Sequence, residues 1–71
     1  MEENRLQISM AAARVNARLT QEDVAKEMHV TKQTIVNWEK GRIRPGAAQL
    51  RMFCDICGIS EDFIFLPKQL T

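Results

Sequence analysis

The chain has 71 residues, of which 45% are hydrophobic and 27% charged, and it contains two cysteines, one histidine and no tyrosine. This length predicts one small domain, and the apolar content excludes a disordered tail. No run reaches the ~18 apolar residues of a membrane span and no basic-then-apolar leader stands at the N-terminus, so we expect a cytoplasmic protein. An enzyme is not expected, because the sequence offers neither a nucleophile–base pair nor a metal-ligand set.

Charge is distributed unevenly along the chain, although the net charge is only +1. Residues 32–51 carry a net charge of +4, because five basic residues stand there against Glu39 alone. The other segments are neutral or weakly acidic. Such a cluster is typical of a localised anion-binding face, although on charge alone an ordinary solvated surface explains it equally well.

Four helix starts share one local pattern, in which an apolar residue precedes a serine or threonine and a second apolar residue follows four positions later. The pattern stands at Ile8-Ser9 with Ala13, Leu19-Thr20 with Val24, Val30-Thr31 with Ile35, and Ile59-Ser60 with Ile64. It predicts a hydrophobic staple around a hydroxyl that accepts a bond from a first-turn amide. Gly41 and Gly58 are suited to the left-handed residue that ends a helix, and Pro45-Gly46 breaks the chain before another helical stretch.

These signals predict an all-α domain with five helices, near residues 9–17, 20–28, 31–40, 46–57 and 60–66. Apolar residues recur at helical spacing between the signals, and no stretch alternates at period two over the length of a strand. We expect an N-terminal arm at residues 1–8, the domain at 9–66 and a C-terminal tail at 67–71.

The tight connection between the second and third predicted helices is the most informative feature of the sequence. Only Met28-His29-Val30 separates these helices, which therefore cross at a steep angle as in a helix-turn-helix. Ala25 is expected where they approach most closely, and Trp38 on their shared inner face. The third helix then presents an outer face that is polar and rich in hydrogen-bond donors: Lys32, Gln33, Val36, Asn37 and Lys40.

With these features the sequence resembles the lambda-repressor-like, or Cro-type (XRE), helix-turn-helix family. The resemblance spans roughly residues 9–66 and is carried by residues 19–25, 30–31, 35, 38–41, 44–45 and 58–60. Residues 12–17 also resemble the first helix of compact regulators from phages and mobile elements of Gram-positive bacteria. The resemblance implies a compact five-helix regulator without a cofactor. We therefore expect it to bind a palindromic or pseudo-palindromic double-stranded DNA operator as a homodimer, at least when it is on DNA.

The resemblance also implies roles for individual residues. Residues 31–40 would form the recognition helix in the major groove. Lys32 would donate to guanine, Gln33 and Asn37 would each pair with adenine, and Val36 would contact a thymine methyl. DNA phosphates would be contacted by Gln21, Thr31, Lys40, Arg42 and Arg44. Six of these side chains could instead be ordinary solvated surface residues: Gln21, Lys32, Gln33, Asn37, Arg42 and Arg44. Thr31 is expected both to cap its helix and to meet a phosphate with its backbone.

Other positions of the family pattern concern stability. Arg14 and Glu39 stand where many members have a structural ion pair between the first and third helices. Trp38 is expected in the core rather than as a stacking platform for bases. His29 and Arg18 replace glycines that commonly adopt a left-handed backbone conformation, so both turns are expected to be strained.

Cys54 and Cys57 form a Cys-x-x-Cys pair that invites a metal or redox interpretation. A tetrahedral zinc site needs two further ligands, and His29 is the only other obvious one in the sequence. Both cysteines fall on the inward side of the fourth predicted helix. We therefore expect reduced core thiols and no metal site.

The apolar run at residues 63–66 is longer than one small core should need. Part of it is expected to close the core, and the remainder is a candidate dimer patch formed by Phe63, Phe65, Leu66 and Leu70, although the whole run could be core.

Taken together, these features of the sequence predict a Cro-like repressor. The alternative is a protein-interaction module of the same fold, such as an antitoxin or bridging factor, with DNA binding secondary or absent.

Overall fold

Four α-helices make up most of residues 7–66, the part of the chain that this computed structural model describes. In chain order the elements are β1 (Ile8–Ser9), α1 (Met10–Asn16), α2 (Gln21–Met28), α3 (Lys32–Glu39), α4 (Ala47–Cys57), a 3-10 turn (Glu61–Phe63) and β2 (Ile64–Phe65). The structure is mostly helical, as predicted, and the bounds of the first four helices lie within one residue of the predicted ones.

The helices begin at the hydroxyl residues that the sequence marks. Ser9, Thr20 and Thr31 each accept a hydrogen bond from the backbone amide three residues later, at 3.1, 3.0 and 3.2 Å. The Asp23 carboxylate completes a capping box by accepting from the Thr20 amide at 2.9 Å. That bond lowers the pKa of the Asp23 carboxyl below its usual value. The N-cap residue of α4 is Gly46, which has no hydroxyl, and its amide donates to Gln49 Oε1 at 3.0 Å.

All four helices end on a residue in the left-handed conformation. These residues are Arg18, His29, Gly41 and Gly58, with φ of 63°, 58°, 76° and 72°. In each case the next backbone amide donates to the carbonyl five residues before it, at 2.9 to 3.1 Å. This is the geometry of a Schellman motif, for which glycine is the usual residue because it has no Cβ atom. The left-handed backbone expected at Arg18 and His29 is therefore confirmed.

Replacing His29 by glycine is expected to raise the free energy of unfolding by about 0.5–1 kcal/mol, because glycine adopts this φ without a Cβ penalty. Urea denaturation measures the change. Gly58→Ala is the matched control, since a Cβ atom there would meet nothing within 4 Å and only backbone strain is added. We expect that variant to lose about 1 kcal/mol. Unchanged stability in both variants would show that the left-handed turns carry no strain.

The prediction of a fifth helix at residues 60–66 is wrong. Ser60 caps a 3-10 turn that ends at Phe63, and Ile64 and Phe65 then form β2, which pairs in parallel with β1. Proline at 67 disfavours the α conformation for the residue before it, and so short a helix is unstable without packing. Pairing instead places Ile64 opposite Ile8, which the sequence had assigned to the N-terminal arm.

The helix-turn-helix pair α2–α3 has the inner face that the sequence predicts. Val24 and Ile35 are fully buried, Trp38 is 3% exposed, and Ala25 is buried between the helices at 5% exposure. The rest of the hydrophobic core cluster comes from α1, α2, α4 and β2: Met10, Ala13, Met28, Phe53, Cys54 and Ile64. The core therefore holds α2 and α3 as a rigid unit whose other side remains open to solvent.

Candidate nucleic-acid interface

The outer side of α3 carries the side chains to which the sequence assigns base contacts. Lys32 and Gln33 are exposed, and Val36 and Asn37 are half-buried. Spacings of one, three and four residues put these four on one side of the helix. This side of α3 contains no acid, because the only acidic residue of the helix, Glu39, is turned inward with 7% of its side chain exposed.

Three of the polar side chains on this surface are joined by hydrogen bonds. Gln33 Nε2 donates to Asn37 Oδ1 at 3.1 Å, and Arg42 Nη1 donates to the same oxygen at 3.5 Å. The spacing of Gln33 and Asn37 by four residues could have predicted the first bond. The contact with Arg42 was missed, because it depends on the turn that follows α3.

The turn after α3 positions the basic residues of the interface. Gly41 adopts its left-handed conformation, and the Arg42 amide donates to the Asn37 carbonyl at 2.9 Å. Lys40, Arg42 and Arg44 are all exposed along this segment. A group of cations beside a helix that could enter the major groove is the arrangement that phosphate contacts require.

At the other end of α3, Thr31 forms the N-cap. Its hydroxyl accepts from the Thr34 amide at 3.2 Å and lies 3.0 Å from the Thr34 hydroxyl. The cap satisfies one first-turn amide, and the other first-turn amides of a helix have no partner within it, which makes a helix N-terminus suited to an anion such as a phosphate.

Arg14 and Glu39 lie in contact, joining α1 to the end of α3. Arg14 Nε and Nη2 donate to the two oxygens of Glu39 at 2.7 and 3.2 Å, while Nη1 donates to the Leu19 carbonyl at 2.9 Å. The bond to Glu39 raises the pKa of the Arg14 guanidinium above its usual value. Only 13% of the Arg14 side chain is exposed, so this pair is shielded from solvent and holds α3 against α1.

Gln21, to which the sequence assigns a phosphate contact, is tied to the same pair. Its Nε2 donates to Glu39 Oε1 at 2.9 Å. An amide nitrogen has two hydrogens, so one remains for a phosphate. Sequence reasoning missed this bond, because Gln21 and Glu39 are distant in sequence and meet only through the crossing of α2 and α3.

The two cysteines of α4 lie on its inward side. Cys54 is buried and Cys57 half-buried, and both are free thiols. Burial raises the pKa of the Cys54 thiol to about 11 and also raises that of Cys57. Such thiols are protonated and poorly nucleophilic at neutral pH. Among residues 7–66, no group of three or more His, Cys, Asp and Glu side chains is arranged to hold a metal ion.

The candidate dimer patch is only partly exposed. Phe63 and Phe65 are 43% and 52% exposed, whereas Leu66 packs against the core. Phe63 also lines an apolar groove of about 350 Å³ together with Ile8, Asn16 and Ile59. Leu70, the fourth predicted member of the patch, lies outside the described residues.

Comparison with known protein families bears on this geometry. Residues 10–64 match a family described as Helix-turn-helix, which covers more than half of the chain. The chain belongs to this helix-turn-helix family. Membership agrees with the tight α2–α3 connection, and domains of this family bind double-stranded DNA. The resemblance that the sequence predicts is therefore confirmed at the level of the family.

Two further comparisons add nothing to the family match. No curated protein and no solved structure matches this helix-turn-helix chain. Within the described residues, no helix combines the length and apolar character that crossing a membrane would require.

Proposed function

We propose that this helix-turn-helix protein is a sequence-specific regulator of transcription that reads the major groove of double-stranded DNA with α3. The observation that carries the proposal is the two-sided character of this helix. Its inner side is fixed in the core by Ile35 and Trp38, and its outer side offers hydrogen-bond donors without an acid. A rigid helix with such a surface can place side chains against base edges.

Base reading and phosphate anchoring are assigned to different residues. Lys32 has the chemistry to donate to guanine O6 and N7, and an amide such as that of Gln33 can pair with adenine N6 and N7. Val36 contacts a thymine methyl. Phosphates are contacted from the segment after α3 by Lys40, Arg42 and Arg44. They are also contacted from the starts of α2 and α3, by Gln21 and Thr31.

Regulation by such a domain requires no catalysed reaction. A Cro-like repressor occupies a promoter and excludes polymerase or a competing regulator in the bacterial cytoplasm. One α3 reads few base pairs, so a homodimer on a palindromic operator, with half-sites one helical turn apart, supplies the remaining affinity. The exposed Phe63 and Phe65 are the candidate contacts of that dimer.

A second candidate function is a protein-interaction module of the same fold. The exposed Phe63 and the apolar groove beside it favour this alternative, because exposed aromatic side chains are typical of protein interfaces. This alternative assigns no role to the hydrogen-bond donors on the outer side of α3. DNA binding is therefore the preferred function, and a protein partner is the prediction that follows if no DNA sequence is selected.

Selection from a random duplex pool tests the proposed function. The wild-type protein is expected to enrich one sequence, and Gln33→Ala is expected to lose discrimination at one base pair of each half-site by about 1–3 kcal/mol. Arg51→Ala is the control, because Arg51 lies on α4 and its weak exposed contact with Glu61 spans 3.7 Å. Removing Arg51 should leave the selected sequence unchanged. Failure of the wild-type protein to enrich any sequence would overturn the proposal.

A further inference from the structure

We propose that Arg42 determines base specificity by fixing the amide of Asn37 as a pure hydrogen-bond donor towards DNA. This inference rests on the proposed function and goes beyond it, since Arg42 was assigned only to the phosphates. Three side chains carry it: Gln33, Asn37 and Arg42, joined at the single oxygen Asn37 Oδ1.

The chemistry of arginine sets the orientation of both amides. A guanidinium donates hydrogen bonds and never accepts them, so the Asn37 atom that faces Arg42 must be the oxygen. That oxygen also faces Gln33, which must therefore present its nitrogen. The contact with Arg42 is long at 3.5 Å, but its positive charge still favours the oxygen over the amide nitrogen.

The backbone keeps Arg42 beside Asn37. The left-handed Gly41 turns the chain, and the Arg42 amide donates to the Asn37 carbonyl at 2.9 Å. Side chain and main chain of Arg42 therefore both contact Asn37. Asn37 itself is half-buried, which restricts its rotamers further.

Because their orientation is fixed, the two side-chain amides offer different hydrogen-bonding groups to a base. Asn37 Oδ1 is occupied by two donors, so Asn37 can offer only the hydrogens of Nδ2 to a base. It then cannot form the two-bond contact with adenine, which requires the oxygen, and it favours an acceptor edge such as guanine O6 and N7 or thymine O4. Gln33 keeps its oxygen and one amide hydrogen, the pair of groups that adenine requires.

The experiment compares base preferences of variants selected on the same random duplex pool. Arg42→Ala is expected to lower discrimination at the Asn37 base pair about tenfold, because Asn37 can then turn its oxygen to the DNA. Arg44→Ala is the matched control: it removes a cation from the same segment and should weaken binding while leaving every base preference intact. Arg42→Lys, which also only donates, should restore the preference.

Asn37→Asp supplies a second readout. Aspartate keeps an oxygen for Gln33 and Arg42 but presents an acceptor to DNA, so the preferred base at this position should change to cytosine. Circular dichroism checks that each variant is folded, and Asn37→Ala, which should lose the preference altogether, replaces the aspartate variant if that one does not fold.

Unchanged preferences in Arg42→Ala, or equal losses in Arg42→Ala and Arg44→Ala, would overturn the inference while leaving the proposed function standing. A wild-type protein that enriches no sequence would overturn the proposed function, and this inference with it.

Discussion

Replacing Glu39 by alanine is expected to lower the free energy of unfolding by about 3–5 kcal/mol. The substitution leaves the Arg14 guanidinium largely buried without its carboxylate, and it removes the acceptor of Gln21 Nε2. For a domain of this size, a loss of 3 kcal/mol corresponds to a fall in Tm of at least about 12 °C. Thermal unfolding followed by circular dichroism measures it.

Two controls test whether the loss of stability comes from leaving a buried charge without its partner. Arg51→Ala removes the exposed pair with Glu61 and is expected to cost about 0.5 kcal/mol or less, because solvent screens that pair. The double variant Arg14→Leu/Glu39→Leu should recover much of the stability lost in Glu39→Ala, since no unpaired buried charge remains. A loss in Glu39→Ala as small as that in Arg51→Ala would show that the Arg14–Glu39 pair does not hold α3 in place.

Replacing Trp38 by alanine is expected to cost about 3–5 kcal/mol, because it opens a large cavity beneath α3. Trp38 is 3% exposed and packs in the core beside Ile35, so it cannot stack on a DNA base without unfolding of the domain. Urea denaturation measures the stability of the variant. Its DNA affinity is expected to fall only in proportion to the unfolded fraction.

Trp38→Phe distinguishes a core residue from a stacking platform. It keeps an apolar ring in the core, so we expect a smaller loss of stability than in the alanine variant and unchanged base preferences. A folded Trp38→Phe protein with much weaker DNA binding would contradict the assignment of Trp38 to the core alone.

Much of this fold could be predicted from the sequence, because its decisive signals are local. An apolar residue before a hydroxyl such as that of Thr20, with a second apolar residue four positions after it, marks a helix start from local sequence alone. The same pattern at Ser60 begins only a 3-10 turn, because the residues after that turn pair with β1. The short connection at His29 then restricts how α2 and α3 cross. The family match over residues 10–64 agrees with this reading.

The features that the sequence did not reveal depend on contacts between distant residues. The pairing of Ile8 with Ile64 joins opposite ends of the domain, and two-residue strands are too short to show an alternating pattern. The bond from Gln21 to Glu39 exists only because α2 and α3 cross, and the contact from Arg42 to Asn37 only because Gly41 turns the chain. Such contacts follow from the tertiary arrangement rather than from spacing.

The most direct test of the central claim compares the affinity of the protein for its selected duplex with that for a scrambled duplex, over a range of salt concentrations. If α3 reads base edges, the selected duplex binds at least about 10³-fold tighter near physiological salt, while both affinities fall steeply as salt increases. Equal affinities for the two duplexes at every salt concentration would contradict base reading by α3 and leave only non-specific attraction to phosphates.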